Sequence, residues 1–195
     1  GVIQDTASSC TLVALLCARE RTSAFSLARA GLQAESEPLV VYVSAHSHSS
    51  VEKAALLAGF GRANIRIIAT DGRYAMRPEV LAQAVREDLA AGRKPCAVVA
   101  TSGTTTTTAF DPLDAIAAVA AEHGLWMHVD AAMAGSAMIL PECRALWAGV
   151  EGAAQARRTL AHARDPPSVD DPGGARCARV TDGQLQAVGP VDDGD

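Results

Sequence analysis

The 195 residues carry 17 basic and 22 acidic side chains, a formal net charge of −5. The basic residues form no run, so nothing provides the clustered positive field that nucleic acid or an anionic membrane requires. Hydrophobic residues make up 49% and charged residues 20%, the balance of a globular chain long enough to bury one core.

In chain order, Thr6 to Arg21 has helical periodicity, with Leu12, Val13, Leu16 and Cys17 as its expected apolar face. Leu39 to Ser44 (LVVYVS) is a β-branched run and predicts a strand. Ser49-Ser50-Val51-Glu52 fits a capping box, opening a helix that stops near Gly59. Asn64 to Thr70 predicts a second strand. Pro78 at the first helical position and Gly92 past the last bracket a helix through Leu81, Val85 and Leu89. Cys96 to Thr101 predicts a third strand, Asp111-Pro112 opens a helix ending at Gly124, and Leu125 to Asp130 predicts a fourth strand. Regular alternation of strand and helix, with strands apolar throughout, predicts an α/β fold with a mainly parallel, doubly wound sheet.

The composition changes near Ala153. The last 43 residues hold seven Asp, five Arg, five Gly and four Pro, and no Ile, Phe, Tyr, Trp or Met. Such a segment lacks the apolar surface to offset the entropy of ordering it. The chain therefore divides at 152/153, with 153–195 read either as a flexible acidic tail or as the product of a shifted reading frame. Five scattered cysteines with no C-x-x-C pair point to reduced thiols and a cytoplasmic protein. The apolar stretches Cys10 to Ala18 and Ala131 to Pro141 fall short of the ~20 residues that span a bilayer. A chain beginning Gly-Val-Ile-Gln, without methionine, reads as a fragment.

Ligands of a doubly wound sheet bind outside the carboxyl ends of its strands. Those ends read Ser44-Ala45-His46-Ser47-His48, Ser102-Gly103-Thr104-Thr105 and Asp130-Ala131-Ala132. The start of the first helix adds Thr6-Ala7-Ser8-Ser9, small and hydroxylated, where free N–H groups and the helix dipole suit a phosphate or an ordinary cap. Asp130 ends an apolar strand and needs a cationic or hydrogen-bonding partner: a protonated pyridine nitrogen, a metal or a cap position. His128, two residues earlier, faces the same side.

The segments GVIQDTASSCTLVAL (1–15), AHSHSSVEKAALLAGFG (45–61), ATSGTTTTTAFDPL (100–113) and HVDAAMAGSAMILPECR (128–144) together resemble the pyridoxal-phosphate-dependent amino-acid decarboxylases that include aromatic-amino-acid decarboxylase. The resemblance runs almost continuously to about Gly152. It implies a type I aminotransferase-like large domain, here partial, in a homodimer that decarboxylates an aromatic L-amino acid with pyridoxal 5'-phosphate. It also implies roles: Ala7 and Ser8 hold the phosphate, His48 stacks on the ring, and Thr105 lends a hydroxyl beside cofactor and substrate. Asp130 pairs with the pyridine nitrogen, and Ala132 packs on the ring's other face. His48, Asp130 and Thr105 are the expected catalytic residues. The chain departs from the family in having two lysines, Lys53 and Lys94, neither in the asparagine-x-histidine-lysine-tryptophan motif where the family holds its cofactor. Ser9 also stands where relatives often carry glutamate. On these grounds the chain alone is expected to be inactive.

Two rival readings come from the residues themselves. His46-x-His48 and His128-x-Asp130 have the spacing of paired ligands on a strand, as in a metal-dependent hydrolase. A non-catalytic remnant that keeps the binding scaffold is the other.

Overall fold

The computed structural model describes residues 4–155 and the backbone of 178–181 and 184–187. Helix α1 (Ala7–Thr22) leads through the short α2 (Ser26–Ala30) to β1 (Leu39–Ser44), then α3 (Ser49–Leu57) and β2 (Ile65–Ile68). There follow α4 (Pro78–Ala90), β3 (Lys94–Thr101), α5 (Leu113–His123), β4 (Trp126–Asp130) and α6 (Val150–Gln155). The four strands form one parallel sheet in the order β2-β1-β3-β4.

The strict alternation of side chains along each strand builds two cores. Val40, Tyr42, Val98, Ala100, Met127 and Val129 face α4, α5 and α6. Val41, Val43, Ala97, Val99 and Trp126 face α1 and α3. Both faces are covered, which is why LVVYVS and CAVVAT show no polar alternation. The expected α/β, doubly wound parallel sheet is present.

Several local expectations are corrected. The buried face of α1 is Cys10, Thr11, Ala14, Leu15 and Ala18, whereas Leu12, Val13 and Leu16 are half-buried and Cys17 is exposed. The helix lies against β3, β4 and α3, and its small side chains allow that close approach, leaving the larger ones at the margin. The capping-box residues Ser49 and Glu52 do not cap α3; His48 does, its Nδ1 accepting the Ser50 N–H at 3.2 Å. Strand β2 is shorter than 64–70. Asn64 closes a 3-10 turn, and beyond Ile68 the Asp71 carboxylate gathers the N–H groups of Arg73 (2.8 Å) and Ala75 (3.0 Å), turning the chain away. In α4, Leu81 and Val85 are buried as expected, but Leu89 is exposed and Asp88 takes the inward position. The cause lies beneath it: the buried Tyr42 hydroxyl needs a partner and donates to Asp88 Oδ2 at 3.0 Å. Arg66 and Arg93, each 3.5 Å from that carboxylate, balance its charge.

Two buried acids make the fold sensitive to alkali. Burial pushes the Cys96 thiol from 9.0 to about 12, and burial followed by the bond to Asp88 pushes the Tyr42 phenol up. In each case the folded state keeps a proton that the unfolded chain releases. Stability is therefore whole below the unfolded values and drains as the pH rises past them. Urea titration should show a loss of about 2 kcal/mol between about pH 8 and about pH 10.5 from Cys96 alone. Cys96→Ala should flatten that slope; an unchanged slope would mean that the thiol does not contribute.

Helix α6 continues past Gly152 to Gln155, and Ala153 is buried in the first core. Gly149 brings this segment onto the start of α5, where any Cβ would collide with the Asp114 backbone. Residues 178–181 and 184–187 pair as antiparallel strands β5 and β6. The rest of the segment expected to be a tail lies outside the described residues. Among the described residues no helix is long and apolar enough to cross a membrane.

Candidate active site

The expected residues lie at the start of α1 and at the carboxyl ends of β1, β3 and β4. Thr6 caps that helix: its Oγ1 accepts the Ser9 N–H at 3.2 Å, and Ser9 Oγ accepts the Thr6 N–H at 3.1 Å. Ser9 thus does what a glutamate does at the third position of a capping box, which accounts for a departure the sequence left unexplained. Ser9 also donates to the Asp5 carboxylate, a bond that holds the Asp5 carboxyl below its ordinary value. The Cys10 N–H goes to Thr6 O at 3.0 Å. The first two N–H groups of the helix, those of Ala7 and Ser8, have no intrahelical acceptor and stand available to an anion.

Asp130 closes β4 and is 6% exposed. Its Oδ1 accepts the Ala132 N–H at 3.2 Å, and among the described residues it forms no ion pair with lysine or arginine. The carboxylate faces the α1 side of the sheet. Helix α1 packs on β4, with Thr11 Oγ1 3.3 Å from His128 Nε2 two residues before Asp130, and burial, then the charge of Asp130, push the Cys10 thiol on α1 upward. A buried carboxylate without a cation fits a protonated heterocyclic nitrogen. Thr101 Oγ1 and Ser102 Oγ, buried at the adjacent end of β3, have no hydrogen-bond partner among the described residues and add polar capacity to the same edge.

The loop after β3 separates its threonines by role. Thr104 is buried, its Oγ1 accepting the Ala109 N–H at 2.9 Å and meeting Thr107 Oγ1 at 2.6 Å, so it closes the loop. Thr105 is exposed. At Gly103 (φ +80°) a Cβ would stand 2.8 Å from Ala134 Cβ, so this loop lies directly against the one carrying Ala132 and Met133. Asp111 is not the helix cap that its sequence suggests. Its buried carboxylate accepts the N–H groups of Met76 and Thr101, each at 2.7 Å, and so ties the end of β3 to the loop before α4. Burial pushes its carboxyl up while those two donors pull it back.

The three histidines of the metal reading have separate surroundings. His46 and His48 lie in the turn after β1, not on the strand. His46 meets Tyr74 edge to face with centroids 5.0 Å apart. His48 is exposed, and its Nδ1, besides capping α3, lies 2.8 Å from Ser50 Oγ. A ring nitrogen that accepts a backbone N–H carries no proton, so the neutral ring holds its proton on Nε2. His128 is buried against α1, its Nε2 at 3.3 Å from Thr11 Oγ1. Among the described residues no three His, Cys, Asp or Glu side chains are grouped to hold a metal ion.

A helix start, a buried carboxylate and hydroxyls thus lie at the carboxyl edge of a parallel sheet, the edge at which such folds bind ligands. Residues 1–156 match the family model described as pyridoxal-dependent decarboxylase conserved domain, and the chain belongs to that family. It is 49% identical over 154 residues to aromatic-L-amino-acid decarboxylase of Bos taurus, covering 77% of this chain and 31% of that one. It is 47% identical over 155 residues to phenylacetaldehyde synthase of Arabidopsis thaliana, covering 78% and 31%. The crystal structure of Oryza sativa TDC with PLP and tryptamine superposes with a TM-score of 0.70 at 44% identity, covering 77% and 32%. The chain thus spans about a third of the length of these relatives.

Proposed function

We propose that this chain is the cofactor-binding part of a pyridoxal-phosphate-dependent carboxy-lyase that decarboxylates an aromatic L-amino acid. The observation that carries the reading is Asp130, buried at the end of the strand that packs on α1, with no lysine or arginine paired to it among the described residues. Ala7 and Ser8 offer their N–H groups to the phosphate. His48, whose Nδ1 caps α3, and Ala132 would hold the pyridine ring between them. Asp130 holds the proton on the ring nitrogen, and Thr105 presents its hydroxyl to cofactor and substrate. Pyridoxal phosphate, when bound, supplies an electron sink for the charge left as carbon dioxide departs. The same reading makes the complete protein a cytoplasmic homodimer, with a cofactor-binding portion that runs past the expected boundary at 152 to the end of α6.

A chimera tests the proposal, with residues 1–155 replacing the matching segment of the Bos taurus decarboxylase. It should release carbon dioxide from an aromatic amino acid; a folded, cofactor-loaded chimera without turnover would overturn the reading. In it, His48→Asn should cut the rate at least about tenfold, because asparagine keeps a good helix cap but removes the ring. His46→Ala should cost less than about threefold, its contact being with Tyr74. Equal losses at both would favour a metal site. The similarity to phenylacetaldehyde synthase supports a second reading, aldehyde formation, which analysis of amine against aldehyde product separates.

A further inference from the structure

His128 is wholly buried on β4, two residues before Asp130 and on the same face of the sheet. Thr11, also buried, lies on α1 one turn after Ala7. Thr11 Oγ1 donates to Ala7 O at 3.0 Å and lies 3.3 Å from His128 Nε2. A hydroxyl has one proton, and here it goes to the Ala7 carbonyl. Toward His128 the same oxygen can only accept, so His128 Nε2 carries the proton. The result is a directed chain, His128 Nε2–H to Thr11 Oγ1–H to Ala7 C=O, running from the strand that ends in Asp130 to the first residue of the helix.

We propose that Thr11 and His128 are positioning residues that brace the phosphate-holding start of α1 against the strand that presents Asp130. The inference rests on the preceding assignment of Ala7, Ser8 and Asp130 to the cofactor. A pyridine ring is rigid and its phosphate arm short, so the two contact points must be held at one separation. Side-chain hydrogen bonds between the two elements hold that separation more tightly than apolar packing, which tolerates sliding. The sheet supplies Asp130, the helix supplies the N–H groups, and the brace joins them within one turn of each.

The test uses the full 195-residue chain with ¹⁵N-labelled histidine, and the variants Thr11→Val, Thr11→Ser and Asp130→Asn. In the unsubstituted chain His128 should show the nitrogen shifts of a ring protonated on Nε2. Thr11→Val, which keeps the shape but removes the hydroxyl, should move those shifts. It should also weaken pyridoxal phosphate binding, measured by equilibrium dialysis, at least about fivefold. It should leave binding of inorganic phosphate unchanged, because phosphate alone needs only the helix start. Thr11→Ser should restore both the shifts and the affinity. A His128 ring protonated on Nδ1 alone, or a Thr11→Val chain that binds pyridoxal phosphate as the unsubstituted chain does, would overturn the brace. Asp130→Asn separates the two failures. If it weakens cofactor binding while Thr11→Val does not, the brace alone is wrong. If neither variant matters, the assignment of Asp130 has failed with it.

Discussion

Replacing Asp130 with Ala in the chimera should lower decarboxylation on the order of 10³-fold while weakening cofactor binding far less. The asymmetry follows from what each contact does. The N–H groups of Ala7 and Ser8 meet the phosphate whatever happens at the ring, so much of the affinity stays. The carboxylate acts on the ring nitrogen, and its charge favours the protonated form that draws electrons from the substrate carbon. Burial at 6% exposure keeps water from screening that effect. Asp130→Asn, which keeps the shape and can still face Ala132, should be nearly as slow because it lacks the charge. A loss below about tenfold with both variants would show that the charge is not catalytic.

The chain alone should show no turnover. A pyridoxal-phosphate decarboxylase needs a lysine that holds the cofactor covalently and yields it to the substrate amine. Only Lys53 and Lys94 are present. Lys94 begins β3, with Nζ 3.3 Å from Glu35 Oε2, at the end of the strand remote from Thr101. The intervening residues, at about 3.3 Å each, put its backbone roughly 23 Å from the site. Lys53 is exposed on α3, between the buried Val51 and Ala54 that turn the opposite side of the helix to the core. Borohydride reduction after incubation with pyridoxal phosphate should label neither lysine stoichiometrically, and carbon dioxide release should match the blank. Saturating label on one lysine together with turnover would mean that the site lies elsewhere.

The sheet was legible because strands buried on both faces have few alternatives: LVVYVS and CAVVAT are too short for helices and too apolar for loops. Asp130 was legible because a carboxylate closing such a strand demands a partner. The helix starts were harder, since they depend on which polar atom reaches which N–H. Serine at 9 replaces the usual acid of a capping box, and histidine at 48 caps where Ser49 had the favoured residue type. Asp111 looked like a cap, yet its carboxylate reaches residues 10 and 35 positions away in the chain. The inward face of α1 is hidden in the sequence because alanine, cysteine and threonine count for little in a hydrophobic pattern, although close packing selects them. The Thr11–His128 contact joins residues 117 positions apart, and no local pattern signals it.

The strand order carries a cost during synthesis. Strand β1 is central, but its partner on one side, β3, begins at Lys94, opposite Leu39. A ribosome adding about 5–20 residues per second takes several seconds to make the intervening chain. Through that interval LVVYVS can pair only with the short β2 and keeps one edge and much apolar surface uncovered. Every pairing in the sheet is likewise non-local, so assembly is intrinsically slow. Until translation delivers β3, LVVYVS therefore keeps an unpaired edge of the kind that invites wrong pairing.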